Sequence, residues 1–517
     1  MTDRLWLLIP ELVLLAGAVS CAILGVSRSV AIRRLLPAAT VVTLLVALAA
    51  SVFVYVPGAV EAATGPGAVP LPWLGRAVIP ITVVVGLVLV LVQAGFVDRV
   101  YEMAVASGRT TFDPLRSARG EYYVFFLLSM AGLMLTCAAP DLIWLFLALE
   151  LTSLPTYVMV AMSRDDRRAQ EAAMKYFYLG AMSAAMFLFG FALLYGATGT
   201  MVLGDMQAVL AGRMADTGSI GSLAVIGLLL SVLGIGFKLA AVPMHLYAPD
   251  VYEGAAAQVT AFLGFVPKAS GAIALMLILS LTGWTEEGGS LPPAVLITLW
   301  LMAVLTMTLG NIGALLQSNV KRMLAYSSIS HSGYMLIGII AGPGAGFAAV
   351  LVYLLAYGLG NTATFAVLAS LRAGDHEVES IDDLAGLREK HPGLAWAMAI
   401  SAGSLLGFPP LMGFWGKLLL FIAGVASGHL VLIVIAGINS AISAWYYLRL
   451  VALPLTGTPS STSGSIERRP YEGPRMAAVA CTVLLICLPL LLGSIMSQAS
   501  DAVVTVDELR NSAGVDE

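Results

Sequence analysis

Four of the chain's six lysines, Lys175, Lys238, Lys268 and Lys417, fall inside long apolar stretches, and so does one acid, Glu150 in LFLALELTSLPTYV. A charge at the centre of a membrane helix costs on the order of 3 kcal/mol to place there. It is retained only where it faces a bundle interior, pairs, or meets internal water. Lysine and glutamate can each take up and release a proton, so the set reads as a proton path. A lysine that lets its proton go near neutral pH needs its charged form disfavoured by roughly 4 kcal/mol. Burial acts in that direction, while a nearby carboxylate opposes it. A Glu150–Lys238 pair would hold the proton when closed and free it when weakened. The proton would then pass to Lys268 in GFVPKAS and on to Lys417, which would release it outward or hand on an electrostatic signal. His245 lies seven residues after Lys238, on about the same helix face, as a connection to the cytoplasm. His331, in SSISHSGY, would link Lys268 to Lys417. Lys175 sits near a helix end, where a snorkelling structural cation is an equal reading.

These charges need interrupted helices around them. Pro243 removes a backbone donor and crowds the carbonyl of Leu239, next to Lys238. Pro155 acts similarly near Glu150, and Pro267 immediately precedes Lys268. The run Gly407-Phe408-Pro409-Pro410 through Gly413 predicts an unwound helix just before Lys417. Broken helices are tolerated in membranes only where the freed groups face protein or water. Paired breaks in corresponding halves mark ion sites in transporters built from inverted repeats.

Of the 517 residues, 59% are hydrophobic and only 11% charged, against about 25% in soluble domains. The expected fold is all-α and polytopic, with about fourteen spans of the length that crosses a bilayer. They fall near 5–26, 35–56, 74–97, 121–139, 141–162, 171–196, 220–247, 256–282, 293–316, 323–341, 345–371, 394–424, 428–451 and 475–496. With the N-terminus outside, 19 Lys and Arg residues fall in inner connections and only Arg4, Arg76, Arg213 and Arg510 outside. Positive segments resist translocation, so both termini are expected on the outer side of a bacterial inner membrane. Loops 164–168 and 375–390 should then face the cytoplasm, and 286–289 the outside. Residues 1–120 would supply three helices and a polar loop, and 121–282 a first five-helix repeat. An inverted second repeat would span 283–453, and a Ser/Thr/Gly-rich flexible loop, one span and a tail would fill 454–517. An odd number of helices per repeat turns the second upside down and matches Lys238 with Lys417. The four cysteines lack metal-ligand spacing and read as packing residues. Residues 5–26 are too long for a cleavable signal. No phosphate loop, catalytic triad or zinc spacing occurs, and the net charge of −4 gives no sign of nucleic acid.

The strings ALELTSLP, EAAMKYFYLGA, FKLAAVPMHLYAPDVYEGA, VTAFLGFVPKA, NVKRMLAYSSISHSGYMLIG, GFPPLMGFWGK and INSAISAWYYLRL resemble the antiporter-like subunits of respiratory complex I, the bacterial NADH–quinone oxidoreductase. The resemblance runs from about Glu121 to Leu450. Lysine at 417, where subunit M and antiporter relatives typically carry Glu, points to the subunit N branch. The HLYAPDVYEGA string does the same, as does an end soon after the last span, without the lateral helix of subunit L. Ala255-Ala256-Ala257-Gln258 departs from the family's usual Pro and Thr, and the extended 98–120 loop is a second departure. The resemblance implies a proton-translocating subunit without a redox site or bound cofactor of its own. FMN, iron–sulfur clusters and quinone would reside in partners: the peripheral NADH-oxidising arm and the membrane subunits M, L, K, J, A and H. The lipid bilayer would surround it. The other reading the resemblance leaves is a subunit of a sodium/proton antiporter or membrane hydrogenase.

Overall fold

The computed structural model describes residues 6–55, 69–94, 104–105, 107–111, 113, 119–164, 166–282, 291–373, 377–458, 466–469 and 472–505. Long apolar runs become helices because each helix satisfies its own backbone polar groups, which hydrocarbon cannot do. The principal helices are α1 (Ile9–Gly25), α2 (Leu36–Val54), α3 (Leu74–Gln93), α4 (Arg119–Cys137), α5 (Leu142–Ala161) and α6 (Arg167–Thr198). They continue with α7 (Leu203–Thr217), α8 (Ser222–Gly236), α9 (Ala248–Gly254), α10 (Ala257–Leu263), α11 (Val266–Leu279), α12 (Pro293–Leu315) and α13 (Val320–Ala341). The last are α14 (Ala345–Ala369), α15 (Pro392–Leu406), α16 (Met412–Ala426), α17 (Leu430–Thr456), α18 (Glu472–Cys487) and α19 (Leu492–Ala502). Polar side chains set several starts: Asp141 accepts from the Trp144 N–H and Asp166 from the Ala169 N–H, each at 2.8 Å.

Ten helices among the described residues are long and apolar enough to cross a membrane, with α1, α8, α15 and α16 as shorter apolar helices. Helix covers part of each of the fourteen expected segments, but three are not continuous rods. The segment 220–247 is helical only to Gly236, and the next is interrupted between Leu263 and Val266. The segment 394–424 is open between Leu406 and Met412. Pro267 falls in the first turn of α11, where a missing N–H costs nothing, so the interruption lies just before it.

Two connections read as separate loops are joined. The strands β1 (Leu371–Ala373) and β2 (Ile466–Arg468) pair antiparallel, Leu371 opposite Arg468 and Ala373 opposite Ile466. Residues 114–118, 283–290 and 459–465, with the expectations that fall on them, lie outside the described set.

Every residue of α11 is buried, as is all of α14 after its first residue, so these two helices form the centre of the bundle. Outer helices present apolar side chains such as Leu301, Ile312, Leu430 and Val434 outward, as lipid contact requires. Apolar burial does not drive helices together inside lipid, so close packing and cross-helix hydrogen bonds must. A methyl on either Gly25 or Gly120 would stand 2.4 Å from the other's Cα, which brings α1 against α4. Asn311 of α12 donates to the carbonyl of Asn439 on α17 at 3.0 Å and accepts from the Tyr446 hydroxyl at 2.8 Å.

Candidate functional site

Glu150 projects from α5 and meets Lys238, whose Nζ lies 3.2 Å from Oε1. The lysine side chain is 1% exposed and the glutamate 16%. Nζ also donates to Ser153 Oγ and stands 5.7 Å from the centre of the Phe187 ring. Lys238 occupies the turn that follows α8. The helix stops because Val242–Pro243 cannot continue it and Ala240 adopts a left-handed φ of 55°.

Several groups of the unwound backbone find partners. The Leu239 carbonyl, crowded out of the helix by Pro243, accepts from Lys268 Nζ at 2.9 Å and from Ser332 Oγ. The Phe237 carbonyl accepts from the Tyr247 hydroxyl at 2.9 Å, and the Val242 N–H donates to Thr306 Oγ1 at 2.9 Å. Buried backbone groups without such partners would cost about 1–3 kcal/mol each.

Lys268 has three N–H donors and three acceptors: Leu239 O, Ser328 O at 2.8 Å and Ser332 Oγ at 2.6 Å. It therefore joins α11 and α13 to the break that carries Lys238. His331, four residues after Ser327 on α13, contacts the Tyr353 hydroxyl through Nδ1 and the Tyr447 hydroxyl through Nε2. Lys417 donates to Leu406 O at 2.7 Å and to Ser440 Oγ at 3.3 Å, with the Tyr334 ring centre 5.0 Å away. The Leu406 carbonyl is one released by the gap between α15 and α16. Both breaks thus hand a carbonyl to a lysine.

Two expected members stand apart. Lys175 is 44% exposed and pairs with Glu171 at 2.8 Å and Asp250 at 2.7 Å. With Arg168 and Glu253 these residues line a cavity of about 240 Å³. His245 does not share a helix face with Lys238. The helix ends at Gly236, so the seven-position step between the two runs through non-helical turns, and the two-turn spacing argument does not apply.

At the end of the bundle that carries Arg164 lies a cluster that residue-by-residue reading of the sequence misses. Glu377 Oε2 accepts from Arg164 and from Lys321 Nζ at 3.2 Å, and Arg469 approaches Oε1 to 3.7 Å. Burial pushes the Glu377 carboxyl up, but Lys321, Arg164 and Arg469 outweigh it and hold the group below the ordinary carboxylate range. Lys321 also donates to Ala255 O at 2.8 Å, directly before α10. Ser153, Ser332, Tyr353, Tyr447 and Ser440 were missed for a different reason: isolated hydroxyls in apolar helices look like packing residues.

The family model described as NADH:quinone oxidoreductase/Mrp antiporter, TM, matches residues 139–443. Over 338 residues the chain is 41% identical to the NADH-quinone oxidoreductase subunit N of Trichlorobacter lovleyi, covering 64% of this chain and 66% of that protein. Over 346 residues it is 40% identical to the subunit of the same name from Nitrosomonas europaea, covering 66% and 70%. The matched stretch therefore spans about two thirds of these relatives' length. A chain in the structure of respiratory complex I from Thermus thermophilus with bound aureothin shares the fold at TM-score 0.72 and 32% identity, covering 95% of this chain and 100% of that one. Residues 139–443 include Glu150, Lys238, Lys268, His331 and Lys417. The chain is a multi-pass membrane protein that belongs to the NADH:quinone oxidoreductase/Mrp antiporter transmembrane family, in its subunit N branch.

Proposed function

We propose that the chain is the proton-translocating subunit N of a bacterial NADH–quinone oxidoreductase. Electron transfer from NADH to quinone takes place in partner subunits, which hold FMN and the iron–sulfur clusters. The partners are the antiporter-like M and L subunits, the small membrane subunits K, J, A and H, and the peripheral arm. The chain lies in the plasma membrane with both termini outside, and the end bearing Glu377 faces the cytoplasm. Residues 121–282 and 283–453 form the two inverted repeats, each with its own broken helix.

The observation that carries this reading is the pairing of buried Lys238 with partly buried Glu150 at a helix break. Lys268 is bonded to that same break through the Leu239 carbonyl. With the pair closed, the carboxylate holds the Lys238 ammonium. When they part, burial favours the neutral amine and the proton moves toward Lys268. His331 carries it on to Lys417, which releases it outward or signals to the next subunit. Lys175 and His245 stand nearer the surface, where they would load protons from the cytoplasm.

The test is Glu150→Gln, which keeps shape and hydrogen bonding but removes the charge. Assembly should be retained while the proton-to-electron ratio falls, and Lys238→Ala should be at least as damaging. A complex with Glu150→Gln that pumps at the normal ratio sinks the mechanism. Co-purification with flavin and iron–sulfur subunits separates this function from that of an Mrp-type antiporter, the other branch of the family description.

Orientation has its own test. Single cysteines at 165 and 287 should label from opposite sides of the membrane, 165 from the cytoplasm. Labelling of both from one side would reject the fourteen-span arrangement.

A further inference from the structure

His331 is held between phenols from two other helices. Nδ1 meets the Tyr353 hydroxyl of α14 at 2.5 Å, and Nε2 meets the Tyr447 hydroxyl of α17 at 2.7 Å. All three residues are buried. The Tyr447 hydroxyl also meets Ser327 Oγ, on the same helix as His331. Ser327 neighbours Ser328, whose carbonyl accepts from Lys268. On the other side, the Tyr353 ring packs against Gly416, where an added Cβ would lie 3.0 Å from Cδ2. Gly416 directly precedes Lys417.

A neutral imidazole has one N–H and one bare nitrogen. A carboxylate or carbonyl partner fixes which nitrogen holds the proton. A hydroxyl both donates and accepts, so a phenol at each nitrogen satisfies either tautomer. In one, Nδ1–H donates to the Tyr353 oxygen, Tyr447 O–H donates to Nε2, and Ser327 O–H donates to Tyr447. In the other, Nε2–H donates to the Tyr447 oxygen, Tyr447 O–H donates to Ser327, and Tyr353 O–H donates to Nδ1. Neither arrangement leaves a ring nitrogen unpaired.

We propose that Tyr353 and Tyr447 are relay residues that pass a proton through His331 by exchanging its tautomers, an inference that rests on the lysine path proposed above. A proton arriving from the Ser327 side bonds to the Tyr447 oxygen as the original Tyr447 O–H breaks and its proton binds Nε2. The Nδ1–H bond then breaks, and that proton joins the Tyr353 oxygen. Tyr353 releases its own proton toward Lys417. One proton enters, one leaves, and no electron changes hands. Rotation of the hydroxyls and return of the tautomer reset the relay.

The test uses the intact complex carrying Tyr353→Phe, Tyr447→Phe, both together, or His331→Gln, with NADH-driven proton uptake and turnover measured per assembled complex. Phenylalanine keeps the ring and its packing and removes one oxygen. Each single change should lower coupled turnover by about tenfold or more. The double change should add little, because groups acting in series are not additive. If His331→Gln impairs pumping while both phenylalanine variants pump normally, the relay is overturned and the lysine path stands. If His331→Gln itself pumps normally, His331 leaves the path and the relay falls with it. Where a variant does not assemble, infrared spectra of the histidine-labelled wild-type complex decide. His331 should show both neutral tautomers during turnover, and a single fixed tautomer would overturn the proposal.

Discussion

Lys417→Arg is expected to leave the subunit assembled and yet to reduce both NADH oxidation and proton uptake by about tenfold or more. The ammonium occupies the gap between α15 and α16, bonded to the Leu406 carbonyl and the Ser440 hydroxyl. The gap exists because Pro409 and Pro410 cannot continue the helix and Gly407 takes a φ of 92°. A Cβ at Gly407 would lie 3.1 Å from Lys417 Cδ, so the lysine stem is held closely against the break. An arginine can keep the bond to Leu406, but a guanidinium does not give up its proton in a protein. A path that needs the position to alternate between charged and neutral would then stop. Lys417→Ala should also lose coupling, and it leaves the Leu406 carbonyl without its donor at a cost of about 1–3 kcal/mol. If Lys417 only balances charge between helices, the order reverses: Arg is nearly silent and Ala loses assembly. Proton uptake in inverted membrane vesicles, normalised to assembled complex, separates the two. A normal ratio in the Arg variant would remove Lys417 from the titrating path.

The positions of Lys238, Lys268 and Lys417, and of the breaks beside two of them, were legible in the sequence. Charge and proline are both conspicuous against an apolar background. Even the identity of one freed carbonyl, that of Leu239, follows from where Pro243 stands. At the second break, the unwound stretch expected before Lys417 leaves the Leu406 carbonyl free to accept from that lysine. What failed was the placement of His245, because helix-face counting assumes that the helix continues through the break that the proline itself creates. What could not be read was which hydroxyls would meet which charge. Ser332 reaches Lys268 across 64 positions and Tyr447 reaches His331 across 116, and neither type is unusual in a membrane helix. The amphipathic helix α7 and the β1–β2 pair were hidden for a related reason, since each lies in a connection with little pattern of its own.

Glu377→Gln should loosen the end of the bundle proposed to face the cytoplasm, with the largest stability effect expected from any single change here. The carboxylate faces Arg164 from just beyond α5, Lys321 from the first turn of α13 and Arg469 from just after β2, and it also accepts from the Ala257 N–H at 3.4 Å. One charge thus ties both halves and a distant loop over the start of α10, the segment that leads to Lys268. The arginines are partly exposed and can turn toward water, but the Lys321 side chain is 1% exposed and cannot. Removing one partner of a buried pair costs about 3–5 kcal/mol, because the remaining charge is left without compensation. The pH dependence has the sign of a depressed carboxyl. Its stabilisation is present above the ordinary value of about 4.3 and is lost as pH falls through the lower folded value, so near neutrality only substitution removes it. In Glu377→Gln, hydrogen exchange at residues 255–263 should accelerate and complex yield should fall. Adding Lys321→Met removes the stranded charge and should recover most of the loss, since an apolar pair of similar size can replace a buried ion pair. Unchanged exchange in the single variant would mean that the three cations hold this end closed without the carboxylate. Failure of the double variant to recover would mean that Lys321 does more than answer Glu377, and its bond to the Ala255 carbonyl would be the remaining link to α10.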